Sequence, residues 1–450
     1  MNKFQLTLIA GDLALAFLAL YAAFALRFGP ALESGAQHQP EQVLAFALVM
    51  LFSSFFVEMY NRLDLALRTL IMRSIMGLAL SFFLLSALYY TLPSIMYGRG
   101  VVFLAMAVFG TLQVLWHVLL RRVDVFPGIA KRVLIVGTGP LALQMGTLVD
   151  ARSQQYVLSG YYNLECEPVD VPRQEIVPNG HGLFEAVKQH RAQKVVVSLS
   201  QRRGVFPLQE MLSCKISGVE VVDAPTFYEQ ATGKLLLENI TPSWFIFSSG
   251  FRINDLIRFA KRMVDVTTAG LGLLLVSPFL PIVALLIKLD SPGPVFFRQT
   301  RVGQGDKEFT LIKFRSMRQD AENITGAVWA EKDDPRITRL GRFLRKSRID
   351  EIPQLFNVLQ GDMSLVGPRP ERPEFVAKLK ELIPYYSERH YVKPGVTGWA
   401  QVCYPYGASV EDAVEKLRYD LYYVKNLSIL LDIRIMLRTI GVILFREGSR

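Results

Sequence analysis

AGLGLLLVSPFLPIVALLIKL, residues 269–289, decides the fold of the second half of this chain. The run has the length and apolarity of a bilayer span, which takes about 20 residues, but Ser277, Pro278 and Pro281 interrupt its middle. Each proline removes a backbone donor and clashes with the preceding turn, so a continuous helix should kink or break there. Charge separates a crossing from a return. Lys261 and Arg262 precede the run, and Arg298 to Arg348 beyond it carries thirteen Lys and Arg against seven Asp and Glu. Basic flanks favour the cytoplasmic side, so both belong on one face. The expected element is a re-entrant helix, about 253–290, that enters one leaflet, breaks at Ser277-Pro278 and returns.

Four further apolar stretches, roughly 5–26, 42–60, 72–92 and 100–120, are long enough to span a bilayer. The first contains Asp12 and lacks a small-residue cleavage site, so it reads as a retained anchor and not a signal peptide. Arg62, Arg68 and Arg73 place the second loop inside, as do Arg121, Arg122, Lys131 and Arg132 after the fourth stretch, while Glu33 and Glu41 place the first loop outside. A four-helix transmembrane bundle over 1–125, with both ends in the cytoplasm, follows. Asp12 is an ionisable group within hydrocarbon. It reads either as a functional carboxylate facing a lipid or a partner helix, or as an interfacial carboxylate near the helix start, and the second is the expectation.

With 450 residues, 51% of them hydrophobic, the chain has room for several domains and is too apolar to be wholly soluble. A net charge of +10 suits anionic partners; the apolar content points to membrane lipids and phosphorylated substrates and argues against nucleic acid. Cys166, Cys214 and Cys403 have neither zinc nor disulfide-framework spacing. Val133 to Gly137 is a short buried-strand pattern leading through GTGPLA (137–142) into a helix. With strand-like runs at 156–163, 194–200 and 219–224 it indicates a Rossmann-like α/β domain over 130–226. The glycine turn suits a phosphate at a helix N-terminus, but any strand-to-helix corner favours glycine. No acidic residue follows the second strand where a nucleotide ribose would need one. Residues 227–250 read as a linker.

The densest chemistry lies between Phe296 and Pro370, in FRQTRVGQGDKEFTLIKFRSM (297–317) and GRFLRKSRIDEIPQLFNVLQGDMSLVGPRP (341–370). Asp350 and Glu351 precede Pro353 and a helix ending near Gly361, a position that favours ionised carboxylates. An ionised aspartate is a competent nucleophile toward phosphorus. An isolated acidic pair is also ordinary first-turn composition, and Ser347 with Asp350 could form a capping box. Lys313, Arg315, Arg345, Arg348 and Arg369 supply charge-assisted donors for a diphosphate, and Pro368 and Pro370 restrict where Arg369 can point.

These strings, with KPGVTGWAQV (393–402) and RYDLYYVKNLSILLDIRIMLRT (418–439), resemble the monotopic polyprenyl-phosphate phosphoglycosyl transferases, bacterial enzymes that start exopolysaccharide and O-antigen repeat units. The resemblance covers about 250–450, and the spans and α/β module ahead of it look like the large form of that family. It implies a mixed α/β catalytic domain at 251–450 on the cytoplasmic face of a bacterial inner membrane. It further implies a UDP-sugar donor, an undecaprenyl phosphate acceptor, Mg²⁺ held by Asp350 and Glu351, and a homodimer. Asp350 would form a covalent phosphosugar intermediate, with Glu351 binding metal or managing a proton. Arg345 and Arg369 would bind phosphate with Lys313 and Arg315 beside them. Lys261, Arg262, Asp265, Ser277 and Pro278 would serve the polyprenyl phosphate and the membrane-inserted helix.

Asp432, Arg434 and Arg438 interrupt the apolar stretch 427–445, which reads as an interfacial helix, with Trp399 and the tyrosines at 404, 406, 419, 422 and 423 at headgroup depth; a buried helix of the catalytic domain is the alternative. Two other functions compete. A nucleotide-sugar dehydratase would need a second glycine motif and a Tyr-x-x-x-Lys pair, and neither occurs. A non-catalytic scaffold would have no use for the clustered Asp350, Glu351 and Arg369.

Overall fold

The computed structural model describes residues 3–29, 40–57, 59–60, 67–122, 130–152, 155–164, 168–178, 182–199, 206–240, 248, 250–251, 254–318, 334, 336–405, 407 and 409–445. The chain forms two compact units, Met1–Phe227 and Tyr228–Arg450.

The first unit opens with helices α1 (Lys3–Phe28), α2 (Pro40–Phe56), α3 (Leu67–Thr91) and α4 (Arg99–Arg122). α1, α3 and α4 are long and apolar enough to cross a membrane, whereas α2 has 17 residues. Ala16, Ala19 and Ala23 keep one face of α1 small, and they pack with Phe46 and Met50 of α2 and with Val101, Ala105 and Phe109 of α4. Small residues let helices approach closely where lipid removes the hydrophobic drive. Leu18, Tyr21, Phe83 and Leu115 point outward and exposed, as a lipid-facing surface requires. The loop residues Glu33 and Arg62 lie outside the described residues.

Asp12 departs from the interfacial expectation. It is fully buried, and its Oδ2 accepts from Tyr60 Oη at 2.8 Å and from Gln113 Nε2 at 2.6 Å, with His117 Nε2 3.3 Å from Oδ1. The carboxylate faces a partner helix because a charge inside an apolar bundle needs donors that lipid does not supply.

Strands β1 (Lys131–Val136), β2 (Tyr156–Tyr162), β3 (Ile176–Val177), β4 (Lys194–Val197) and β5 (Glu220–Asp223) form one parallel sheet in the order β3-β2-β1-β4-β5. Helices α5 (Pro140–Asp150), α6 (Leu183–Gln189) and α7 (Leu208–Ile216) connect them, and α8 (Ala224–Thr232) follows β5. β1 is central, which explains why Val133 to Val136 are uniformly buried. Gly137 has φ +121, which only glycine adopts freely, and Pro140 opens α5 where its missing N–H costs nothing.

The second unit contains α9 (Asp255–Val276), α10 (Leu280–Asp290), β6 (Phe296–Val302), β7 (Glu308–Phe314), α11 (Arg339–Lys346), α12 (Gln354–Gln360), β8 (Ser364–Val366), α13 (Pro373–Leu382), β9 (Gly395–Thr397), α14 (Trp399–Cys403), α15 (Val410–Lys425) and α16 (Ile429–Phe445). β6 and β7 form an antiparallel hairpin and β8 and β9 a short parallel pair. α9 and α10 meet at a 65° bend across Ser277–Phe279, and Pro281 sits in the first turn of α10. Leu271, Leu274, Leu275, Phe279, Ile282 and Leu289 are all exposed around that bend.

Two expectations change here. Within the stretch read as a linker, Leu235, Leu236 and Ile240 are buried, and Leu235 and Ile240 pack in a core with Leu379, Leu417 and Leu421. α16 is not a purely interfacial helix either. Leu431 and Ile435 join a core of the second unit with Ala269, Val358 and Val424, and Trp399 is buried with its Nε1 donating to the Gly233 carbonyl at 2.8 Å. Of the three charges that argued for headgroups, Asp432 pairs with Lys261 at 2.6 Å and Arg438 lies against Cys403 Sγ and the Trp399 ring. Tyr406 lies outside the described residues.

His390 is buried with its Nδ1 2.6 Å from Asp306 Oδ1, and Lys380 Nζ lies 2.9 Å from the other oxygen. Burial, then the Arg389 charge, pushes His390 down to about 4 against the pull of Asp306. The unfolded chain takes up this proton near the usual histidine value of about 6.5. Stability is therefore complete above that pH and declines as pH falls toward 4, by at most about 3 kcal/mol from this group. Thermal unfolding in detergent should show His390→Asn with a shallower loss of stability than wild type between pH 7 and 4.5. Parallel curves would acquit His390.

Candidate active site

The site begins with a chain reversal. α11 ends at Lys346, and Arg348 takes a left-handed conformation, φ +57, immediately before a single helical turn, Ile349–Glu351. A non-glycine residue there costs about 1 kcal/mol or more. The reversal turns Asp350 and Glu351 inward, and both are buried. Across from them, β7 carries Lys313, whose register is fixed by the fully buried Asn357 of α12. The Ile312 N–H donates to Asn357 Oδ1 at 3.1 Å, and Asn357 Nδ2 donates to the Thr310 carbonyl at 2.8 Å.

Three cations converge on one oxygen of Glu351. Arg369 Nη2 lies 3.0 Å from Oε1, Arg348 Nη1 3.4 Å and Lys313 Nζ 3.5 Å. Burial alone would raise this carboxyl, but Arg369, Lys313 and Arg348 override it and hold Glu351 at about 2. Burial pushes Lys313 down to about 8 despite Glu351.

Asp350 is different. Its Oδ1 is buried and has no hydrogen-bond partner among the described residues. Burial, then the Glu351 charge, pushes its carboxyl above the usual range, while Lys313, Arg345 and Arg369 pull it back. Desolvation thus works against the helix-terminus stabilisation expected for this carboxylate, and α12 starts only at Gln354. An unbonded carboxyl oxygen surrounded by cations is suited to an electrophilic anion or a cation bound with one. Among the described residues no group of three or more His, Cys, Asp or Glu forms a dedicated metal cage. The donor set fits a hard cation that takes one or two carboxylates and completes its shell from phosphates and water; Asp350 supplies the open oxygen, whereas Oε1 of Glu351 already meets three cations.

Arg345, half-buried in the last turn of α11, acts on Asp350 through its charge. Arg315, expected with the phosphate binders, lies elsewhere. Its buried guanidinium donates to the carbonyls of Ser291 at 2.6 Å, Pro292 at 2.9 Å and Ile287 at 3.3 Å. It caps the C-terminal end of α10, where unsatisfied carbonyls attract a cation. Arg348 is legible in the sequence as a cation for the site but not as its turn, and Asn357 is not legible there as a site-builder. A polar residue within the apolar helix NVLQ was the available signal for Asn357; nothing local reveals the left-handed turn at Arg348.

The membrane-facing set is also committed to protein. Lys261 Nζ contacts Asp432 Oδ2 at 2.6 Å, the Val366 carbonyl at 3.0 Å and Tyr423 Oη at 3.1 Å. Arg262 donates to the carbonyls of Val358 at 2.6 Å and Leu359 at 2.8 Å, capping the end of α12. Asp265 accepts from Ser364 Oγ at 3.0 Å and the Leu365 N–H at 2.9 Å. Ser277 Oγ donates back to the Leu274 carbonyl at 2.8 Å, beside Pro278 at the exposed bend. Helix anchoring, the second of the roles expected for the first three, is what their bonds accomplish.

Residues 256–446 match the bacterial sugar transferase family. The chain is 43% identical over 237 residues to a UDP-N-acetylgalactosamine-undecaprenyl-phosphate N-acetylgalactosaminephosphotransferase of Aeromonas hydrophila, covering 53% of this chain and 55% of that protein. It is 35% identical over 329 residues to an undecaprenyl-phosphate glucose phosphotransferase of Komagataeibacter xylinus, covering 71% and 60%. It is 48% identical over 185 residues to the exopolysaccharide production protein PSS of Rhizobium leguminosarum bv. phaseoli, covering 40% of this chain and 92% of that one. The chain thus spans little more than half the length of the first two relatives and nearly all of the third.

The Lys261–Asp432 pair is nearly enclosed, with side chains 13% and 6% exposed. Asp432→Leu alone leaves a cation without its partner and should cost about 3 kcal/mol or more, whereas Lys261→Met with Asp432→Leu should recover most of that loss. Thermal unfolding of the three proteins in one detergent measures it; equal losses in single and double variants would contradict the pairing.

Proposed function

This chain belongs to the bacterial sugar transferases, the polyprenyl-phosphate phosphoglycosyl transferases, and from that membership we propose that it moves a sugar 1-phosphate from a UDP-sugar to undecaprenyl phosphate, releasing UMP, at the cytoplasmic face of a bacterial inner membrane. The observation that carries this reading is the unbonded, buried Oδ1 of Asp350 beside Glu351 and among Lys313, Arg345 and Arg369. Those cations lower the energy of the carboxylate and of an incoming diphosphate alike.

In the first step a carboxylate oxygen of Asp350 attacks the sugar-bearing phosphorus. The bond from that phosphorus to the bridging oxygen breaks, and UMP leaves with the electron pair. The phosphosugar is then held as an acyl phosphate. In the second step an oxygen of undecaprenyl phosphate attacks the same phosphorus and the aspartyl–phosphorus bond breaks, restoring the carboxylate. Lys313, Arg345 and Arg369 hold the phosphoryl oxygens in both steps, and Glu351 keeps Lys313 and Arg369 in place between turnovers. Mg²⁺ would be held by Asp350 with Glu351 adjoining, and when bound it neutralises diphosphate charge. The exposed apolar bend between α9 and α10 supports a dip into one leaflet, which brings the acceptor's phosphate to the site.

UMP release by the protein in lipid nanodiscs tests the reading, using Mg²⁺, a panel of UDP-sugars, and samples with and without undecaprenyl phosphate. Acceptor-dependent turnover should appear with a donor and fall roughly 10³-fold or more in Asp350→Asn. Turnover surviving the substitution would remove Asp350 as nucleophile, and no UMP from any donor would remove the reaction.

A further inference from the structure

Arg369 reaches Glu351 from Gly367-Pro368-Arg369-Pro370-Glu371, a segment unable to hold its own shape. Pro368 and Pro370 have no N–H to contribute to a helix or ladder. Each consecutive carbonyl is instead taken by a donor from elsewhere. Pro368 O accepts from the Gly395 N–H at 2.9 Å, Arg369 O from Arg389 Nη2 at 2.9 Å, Pro370 O from Arg301 Nη1 at 3.1 Å, and Glu371 O from the Val302 N–H at 3.0 Å. Of the two side-chain donors, Arg389 is the deeper, 5% exposed.

Arg389 is itself fixed on every side. Its Nε lies 3.0 Å and its Nη2 2.8 Å from Asp420 Oδ2, and its Nη1 donates to Tyr386 Oη at 2.7 Å. A buried ion pair adds little net stability, because desolvation cancels most of its Coulomb energy. What this one supplies is a rigid fork whose last hydrogen bond ends on the Arg369 backbone. We infer that Arg389, held by Asp420 and Tyr386, is a positioning residue that sets where the Arg369 guanidinium stands against the substrate phosphates.

The inference rests on the phosphoryl-transfer reading, so its test uses both turnover and equilibrium binding of UDP. Arg389→Lys keeps the charge beside Asp420 but loses the fork. Its kcat for UMP release should fall about 10- to 100-fold with a smaller change in KM, the effect of a misplaced catalytic group. The decisive comparison is with Arg369→Ala: adding Arg389→Lys to that variant should change kcat and UDP affinity less than twofold, because there is no guanidinium left to misplace. Effects that multiply in the double variant would overturn the proposal. Should Arg389→Lys fail to fold, Tyr386→Phe removes one bond from the fork and must show the same non-additivity with a smaller single effect. If the wild type binds UDP without turnover, the proposed reaction falls and the UDP-affinity cycle alone decides Arg389. If it does neither, both fall.

Discussion

The second unit depends on how one helix keeps charge at its base and hydrocarbon at its tip. Lys261, Arg262 and Asp265 lie within two turns of α9, and each is matched to a fixed group of the catalytic body: a buried carboxylate and a carbonyl, the open end of α12, and a hydroxyl with an amide on β8. After Thr267 and Thr268 only Ala, Gly, Leu and Val follow on that helix before the bend, and Leu271, Leu274 and Leu275 of this outer half are exposed. The same contacts join α12, β8 and α16 to α9, and Asp350 and Glu351 sit immediately before α12. An anchor that merely floated against the body would leave the acidic pair at no fixed height along α9.

The site combines that fixed height with a deliberate imbalance of charge. Lys313, Arg345, Arg348 and Arg369 outnumber Asp350 and Glu351 by two positive charges. Glu351 absorbs most of the field and lies far below its ordinary range, whereas Asp350 is left desolvated and lifted. Two adjacent carboxyls are thereby separated in character by environment, one a counter-ion held well below its usual range and the other lifted above it. The net positive surplus is what a diphosphate would neutralise on arrival.

Much of this was legible in the chain. The apolar stretches, the proline break, the glycine turn after β1 and the acidic pair beside basic strings all announce themselves through local composition and period, because helix length, backbone breaking and strand burial are local properties. The destinations of charged side chains were not. Arg315 resembles its basic neighbours in sequence yet closes the end of α10; Asp12 looked interfacial yet meets Tyr60, Gln113 and His117; Asp432 looked like a headgroup contact yet neutralises Lys261. Each partner lies between 23 and 171 positions away, with the nearest supplied by a fold-back of the chain.

The sequence by itself determined that this chain has apolar helices, an α/β module, a hydrophobic run broken at its prolines and a basic string around the Asp350–Glu351 pair. Tertiary structure decided which cations face that aspartate, that its Oδ1 has no hydrogen-bond partner among the described residues, and that burial pushes its carboxyl upward. A residue's identity sets the charge it can carry, but burial and the distances to other charges set the energy of carrying it, and those exist only once distant segments have packed together.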